Sequence, residues 1–498
     1  MRKALMTMAL AAAPALALSA CNGPSTGTAG SSALPNAPAS SARFHPHSLN
    51  SSDLHGGGAT FPAYAYNLGE QPVGLGTQPQ APPGTGSLFG SVKLGAGASI
   101  YYCLTGSGTG RGIFISGSKG QSNGTTATTT GSCAPLGATP SGFGAPVDPP
   151  DFAGSDVALA STDYTTYKST REPSSGTNWG EPFEFPVMGG PIVYGYRPQD
   201  FKKQKTPIQL SRWTYCAIAN GTVSDWNDAA ITADNNGKSV THGVSEPITF
   251  YFRSDGSGTS FNYTYHLNIA CNGAWGKPYN AAPYEGSGRS AAWTYGVNQS
   301  WPGPGSSKVP NSHFVGESGN PGVLAAIQST PFGTGYVEGA WAKSANPPVA
   351  QAWLANGHKL KGKPVFADPT VAANVGAAFA GISSTSIQLG QGSDGLPLAT
   401  SRPECILYLD PSKWNTPIVH AHDAQSTYPI VAVSYLLFYG NNNGARTVQK
   451  HKLIAYLTQS KAQKIIGNLE YAPLASSILK DTFSSAFGSN AGKGPCVQ

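Results

Sequence analysis

Arg253 opens the run Arg253-Ser254-Asp255-Gly256-Ser257-Gly258-Thr259-Ser260-Phe261, in which a guanidinium, a carboxylate two residues on and several hydroxyls are spaced by glycines. A planar guanidinium fork matches two oxygens of a tetrahedral anion, hydroxyls add neutral donors, and glycine lets an anion come close to backbone N–H groups. Three further segments have the same make-up: Gly56-Gly57-Gly58-Ala59-Thr60-Phe61-Pro62, Thr105-Gly106-Ser107-Gly108-Thr109-Gly110 and Phe152-Ala153-Gly154-Ser155-Asp156. Together they describe an oxyanion site made chiefly of backbone dipoles and hydroxyls around one arginine. Neither Gly106 to Gly112 nor Gly256 to Gly258 fits GxGxxG, GxxxxGK[ST] or GxSxG, so nucleotide binding and a hydrolase elbow lack their motifs.

Segments of this kind act when they sit at helix N-termini, where unpaired N–H groups and the positive end of the macrodipole face outward. The first and last are followed by runs of helical character, Ala63 to Leu68 and Phe261 to Asn268, and Pro62 suits a first turn because its missing N–H costs nothing there. Elsewhere strand-like and helix-like runs alternate. Phe185 to Tyr196 reads as a strand with a Gly/Pro break, and Ile430 to Tyr439 as another, rich in β-branched and aromatic residues. Helical spacing appears at Val448, Lys452 to Leu457 and Ala462 to Ile466, with Gly467 as a stop. The alternation favours an α/β architecture. Two stretches rich in Gly, Pro, Ser and Thr, 71–87 and 116–150, read as inserted surface loops, and no repeat of fixed period is present.

The chain has 498 residues, more than the roughly 100–200 of one domain, so two lobes or domains are expected. Charged residues make up only 11%, against an average near 25%, and 62 Gly and 40 Pro accompany them, which excludes a coiled coil or long helical bundle. With 39% hydrophobic residues, including 22 Tyr, 19 Phe and 9 Trp, there is material for a core, which excludes wholesale disorder. The net charge of +6 is modest and its basic residues are scattered, so nucleic-acid binding has no support.

Met1-Arg2-Lys3 and the apolar run Ala4 to Ala20 form the pattern of a secretory signal peptide, residues 1–20, and Leu18-Ser19-Ala20-Cys21 resembles a bacterial lipobox with Cys21 as the lipidated residue. Residues 21–55 have almost no large apolar side chains and read as a flexible, lipid-anchored tether. No later stretch approaches the ~18 apolar residues of a transmembrane helix. The expected location is the periplasm or cell envelope, with an outer-membrane or surface position open because Asn22, not Asp, follows Cys21. Beyond Cys21, the cysteines Cys103, Cys133, Cys216, Cys271, Cys405 and Cys496 suggest disulfides, most simply paired in chain order. His420, His422 and Asp423, or His45 with His47, can be drawn as metal clusters, but such pairs in loops and tethers read as solvent-exposed, and no metal or cofactor is expected. Trp226 and Trp341 read as core or lobe-surface aromatics.

The segments Gly58 to Pro62, Asp151 to Asp156, Arg253 to Phe261 and Gln328 to Glu338 resemble the phosphate-binding protein of the bacterial high-affinity phosphate ABC transporter. Val223 to Asp228 and Tyr428 to Val431 are similar to that family's in the same order, and the resemblance runs from Gly56 to about Leu474. It implies a periplasmic-binding-protein-like fold of two α/β lobes joined by a hinge, with the ligand in the cleft. Crossings near Gly190 to Tyr196 and near Tyr428 would divide the body into lobe 1, 56–193 with 428–498, and lobe 2, 194–427. It further implies a monomer that binds inorganic phosphate and delivers it to a membrane ABC permease, and that is not an enzyme.

Carried over residue by residue, the resemblance gives Thr60 and Ser107 as hydroxyl donors, Phe61 as a backbone donor, Arg253 as the clamp on two oxygens and Asp255 as the group that holds the clamp. Ser257, Gly258 and Thr259 would offer a helix N-terminus, and Asp156 would accept a proton carried by the ligand. A carboxylate aimed at an anion repels it unless the anion brings a hydrogen, so Asp156 would favour phosphate over sulfate. The separations from Thr60 to Ser107 and from Ser107 to Asp156 are longer than the family's, because of the inserted stretches. Thr105, Thr109 and Ser116 therefore compete with Ser107. The rival reading is a phosphomonoesterase using the same anion site, although a paired metal cluster and a nucleophile beside a base are missing from the sequence. A third is a surface protein whose insertions bind another macromolecule.

Overall fold

The computed structural model describes residues 51–69, 73–74, 83–116, 150–172, 177–202, 204, 206–272, 288–360, 363–414 and 426–498, all within one unit, Pro46–Gln498. The stretch through residue 50 that reads as signal peptide and tether, with Cys21, His45 and His47, lies outside the described residues, as do Cys133, His420, His422 and Asp423. Among the described residues no helix is long and apolar enough to cross a membrane.

Nine strands form the main sheet: β1 (Leu54–Gly58), β2 (Ile100–Cys103), β3 (Phe152–Ser155), β4 (Phe183–Tyr196), β5 (Thr249–Arg253), β6 (Phe314–Glu317), β7 (Gly333–Glu338), β8 (Ala350–Gln351) and β9 (Val431–Phe438). Their order is β2-β1-β3-β9-β4-β7-β5-β6, with β8 beside β4. β1 runs parallel to β2 and β3, and β5 runs parallel to β6 and β7. The antiparallel strands β9 and β4 join these two parallel groups. Every residue of β2, β3, β4 and β9 is buried, as strands covered on both faces require, which explains the apolar richness that made β4 and β9 readable as strands.

β4 extends the strand expected over Phe185 to Tyr196 by two residues and serves both groups. Its Phe183–Pro191 stretch pairs with β9, and its Ile192–Tyr196 stretch with β7. The Gly/Pro sequence in its middle does not interrupt it. Gly189 leaves room for the Phe379 ring, and its N–H and C=O both bond Ala472. The irregularity falls earlier, where the register slips between Ser434 and Tyr435 of β9 opposite Met188 and Pro186, near a proline that has no N–H for the ladder.

The helices that matter here are α1 (Ser107–Ser116), α2 (Gly258–Ala270), α3 (Gly319–Ser329), α4 (Gly339–Lys343), α5 (Thr447–Leu457), α6 (Ser460–Asn468) and α7 (Ser476–Phe487). Helices flanking a mixed sheet meet the α/β expectation. α2 begins where the Gly/Ser/Thr run predicts, capped by Ser257, whose Oγ accepts from Ser260 N–H at 3.1 Å. α6 ends one residue past the expected stop at Gly467. The run from Ala63 to Leu68 is only a five-residue π turn, Tyr64–Leu68, because Gly69 at φ 66° turns the chain and returns its N–H to Tyr64 O.

β1 begins at Leu54, two residues before the start read from sequence, and His55 N–H is held by Asp151, which also pairs with the buried Lys450 of α5 at 3.1 Å. In the first stretch read as an insertion, Val73–Gly74 pairs with Ala345–Asn346, and Ser87 caps the short helix Leu88–Ser91. Most of the second, residues 117–149, lies outside the described residues. Disulfides join Cys216 to Cys271 and Cys405 to Cys496, as chain-order pairing expects, and Cys103 is also disulfide-bonded. Trp226 and Trp341 are both buried.

Candidate anion site

The chemistry-bearing segments leave the carboxyl ends of parallel strands, the place where open α/β sheets bind ligands. β1 leads to Thr60, β2 to Ser107 at the start of α1, β3 to Asp156, β5 through Arg253 to α2, and β6 to α3. The sequence separates these groups by up to 260 positions, and the two parallel sets of strands bring their ends together.

Arg253, the last residue of β5, is 1% exposed. Its Nε donates to Asp255 Oδ1 at 2.7 Å and its Nη2 pairs with Asp255 Oδ2. Nη1 points elsewhere, to Asn320 Oδ1 at 3.3 Å and Thr259 Oγ1 at 3.5 Å. Burial works against the guanidinium charge, but the Asp255 carboxylate outweighs it and holds the group above its ordinary range. The strand fixes the other end of the residue, since Arg253 N–H donates to Tyr336 Oη at 3.0 Å, and that hydroxyl is linked to Ser260 Oγ at 2.6 Å.

Asp156 follows β3 and is 3% exposed. Its Oδ2 accepts from Ser107 Oγ at 3.1 Å, its N–H donates to the same oxygen at 3.1 Å, and its C=O accepts from Asn262 Nδ2 of α2 at 2.7 Å. No hydrogen bond of good geometry reaches Oδ1, although the Ser434 hydroxyl lies near enough to pull on the carboxyl. Burial pushes the carboxyl up to about 7, against the opposing pull of the Ser434 and Ser107 hydroxyls and of Arg253. Of the four hydroxyls competing for this place, Ser107 is the one that meets Asp156. Thr105 Oγ1 turns to its neighbour Gly106 O, Thr109 is buried within α1, and Ser116 Oγ bonds Gly112 O at the far end of that helix.

Thr60 is 1% exposed, and its Oγ1 accepts from Asn320 N–H of α3 at 3.2 Å. Trp341 Nε1 donates to Thr60 O at 2.8 Å, and Tyr471 Oη to Phe61 O at 2.7 Å, so the loop after β1 is gripped from α4 and from the segment after α6. Gly258 shows how closely the two strand groups approach. A Cβ there would lie 2.5 Å from Asp156 Cβ and 2.6 Å from Ser107 Oγ. Gly108 N–H reaches Gly256 O at 2.8 Å across the same contact. Thr60, Ser107, Asp156, Arg253, Asp255, Gly258 and Thr259 therefore surround one small region, with Phe61 and the cap Ser257 at its margin.

Sequence reading missed Asn320, Asn262, Tyr336 and Trp341. Ser318-Gly319-Asn320-Pro321-Gly322 after a strand is itself a Gly-punctuated helix start, and that signal was available for Asn320. Tyr336 and Trp341 act through tertiary contacts that no local pattern encodes.

Chemically the region offers one buried cation, three helix N-termini, several hydroxyls and one buried carboxylate oxygen in need of a proton. A model of the PBP superfamily domain matches residues 95–460. The phosphate-binding protein PstS 2 of Mycobacterium tuberculosis is 32% identical over 289 residues, 57% of this chain and 59% of the relative's own length. PstS 3 of Mycobacterium leprae is 27% identical over 337 residues, 68% of this chain and 72% of that one. Among solved structures, a phosphate-binding protein from Stenotrophomonas maltophilia overlays with a TM-score of 0.54 at 20% identity, covering 88% of this chain and 95% of that one. A high-affinity periplasmic phosphate-binding protein, PfluDING, solved with phosphate bound, overlays at 0.55 and 20% identity, covering 89% and 98%. These overlays establish a shared periplasmic-binding-protein-like α/β fold.

Proposed function

The chain belongs to the PBP superfamily, and from that premise we propose that it is an exported solute-binding protein that captures inorganic phosphate between two lobes and delivers it to an ABC permease for import. One observation carries the reading. Buried Asp156, with no hydrogen bond of good geometry to its Oδ1, lies within electrostatic reach of buried Arg253, and a cation facing a proton acceptor suits an anion that carries a hydrogen. The names of the PstS relatives support the choice of phosphate.

In this reading lobe 1 comprises 56–193 and 428–498, lobe 2 comprises 194–427, and the switch of β4 from β9 to β7 after Pro191 is the hinge. Arg253, braced by Asp255, clamps two oxygens. Thr60, Ser107 and Thr259 donate hydroxyls, and Phe61 and Gly258 donate backbone N–H groups. Ser257 already accepts a bond as the cap of α2, so its O–H proton is what it offers the anion. Closure replaces water by these fixed dipoles, and the ligand shifts an open–closed equilibrium. No cofactor enters this scheme. A signal peptide over residues 1–20 and a lipid on Cys21 would hold a monomeric body near the membrane of its permease.

Titration calorimetry with phosphate and with sulfate, beside a phosphatase assay with divalent metals, tests the proposal. Phosphate binding with sulfate rejected and no ester hydrolysis is the expected result. Metal-dependent turnover of a phosphate ester would sink it.

A further inference from the structure

We infer that Asn320 is a further anion-binding residue, which donates from Nδ2 to the ligand while its Oδ1 sets the guanidinium of Arg253, so that the site closes on the N-termini of two helices, α2 and α3. The inference rests on the phosphate reading above and adds a residue to it.

Asn320 is the second residue of α3 and is fully buried. Three of its polar groups are accounted for or oriented. Its N–H donates to Thr60 Oγ1 at 3.2 Å, and its Oδ1 accepts from Arg253 Nη1 at 3.3 Å. Its Nδ2, enclosed with them, has no hydrogen-bond partner. The residue before it completes the pattern: Gly319, at φ 67°, a value that favours glycine, donates its N–H to Asp255 Oδ1 at 2.9 Å. Two consecutive residues thus touch the guanidinium, the carboxylate that braces it and the hydroxyl of Thr60.

The orientation of the amide is fixed by chemistry. Turning it over would set an NH2 against Nη1, two donors against each other. With Oδ1 on the guanidinium, Nδ2 is left as a buried donor without an acceptor, a state that native interiors avoid. The acceptor that this site is built to receive is an anion, and a charge-assisted bond to it would satisfy Nδ2. Asn320 also links the two strand groups, because the residue reaches Thr60 after β1 and Arg253 of β5 at once.

Asn320→Asp separates the ligand role from a merely bracing one. Aspartate keeps an acceptor for Arg253 but replaces the donor with a second acceptor. In calorimetry of the full chain with inorganic phosphate, the variant should bind about 100-fold more weakly than wild type at pH 8, and the deficit should shrink at pH 5.5 as the new carboxyl gains a proton. A residue that only braces Arg253 repels phosphate through space with the same added charge at both pH values, so a deficit as large at pH 5.5 as at pH 8 overturns the inference. Asn320→Ala, checked for folding by thermal unfolding without phosphate, should lose about 10- to 100-fold. Should the aspartate variant not fold, alanine affinity within twofold of wild type overturns the inference alone. Wild-type chain that fails to bind phosphate overturns the phosphate reading, and the inference with it.

Discussion

In the proposed site, Asp156 is the residue that sets what is accepted. An empty-site carboxyl that titrates near 7 is protonated below that pH, and it can then donate a hydrogen to an anion that brings none. Rejection of sulfate should therefore sharpen as pH rises through about 7. Asp156→Asn supplies a permanent donor in its place, so sulfate affinity at pH 8 should rise by about 10- to 100-fold and lose its pH dependence. Competition calorimetry across pH 5.5–8.5 measures both effects, and unchanged selectivity in the variant would place the proton acceptor elsewhere. The same group bears on stability without ligand. Its folded value of about 7 stands above the ordinary 3.8, so the folded chain holds the extra proton between those values and stability falls as pH rises through that window. Asp234, pushed up to about 6, and Glu184, to about 8, share the slope. The thermal midpoint of phosphate-free wild type should drop from pH 4 to pH 7, and that of Asp156→Asn less steeply. Parallel curves would exclude Asp156 as a contributor.

At the scale of elements, the site depends on α2 starting flush against the loops after β2 and β3. Gly258→Ala puts a methyl group 2.5 Å from Asp156 Cβ, where neither loop has room to yield, so the expected loss of phosphate affinity is about 100-fold or more with the circular dichroism unchanged. Near-wild-type affinity would show that the two strand groups do not need this approach. Why α2 was legible in the sequence is plain: Ser257 is a local cap, and local caps are written in local residues. The same holds for the cluster of glycines and hydroxyls at Thr60, Ser107 and Asp156. The helix expected after Pro62 shrank to one turn because Gly69 takes a positive φ, and the break expected in β4 disappeared because Gly189 serves the packing of Phe379 and Gly190 that of Phe61 and Tyr471. Asn320 escaped notice for a different reason. Its segment has no arginine and little hydroxyl, and its meaning comes from Arg253 and Thr60, which lie far off in sequence.

Across the whole molecule, Cys216–Cys271 and Cys405–Cys496 close loops of 55 and 91 residues, each contributing about 4 kcal/mol by loop-closure entropy alone. The double variant Cys405→Ala/Cys496→Ala should lose about 2–4 kcal/mol in urea unfolding, and a loss below about 1 kcal/mol would mean that the packing of the C-terminal segment holds without the crosslink. The strand order itself was not readable from sequence, because the pairs that define it, such as Leu436 with Gly154, join distant parts of the chain. That order also governs how the protein comes to exist. β9 sits between β3 and β4, yet a ribosome makes it after all the other strands of the sheet. Without the segment from Val431 on, the sheet consists of two halves with open edges at β3 and along the first part of β4, the kind of edge that recruits foreign strands. Assembly is therefore a last-strand event. Its non-local pairing makes it slow.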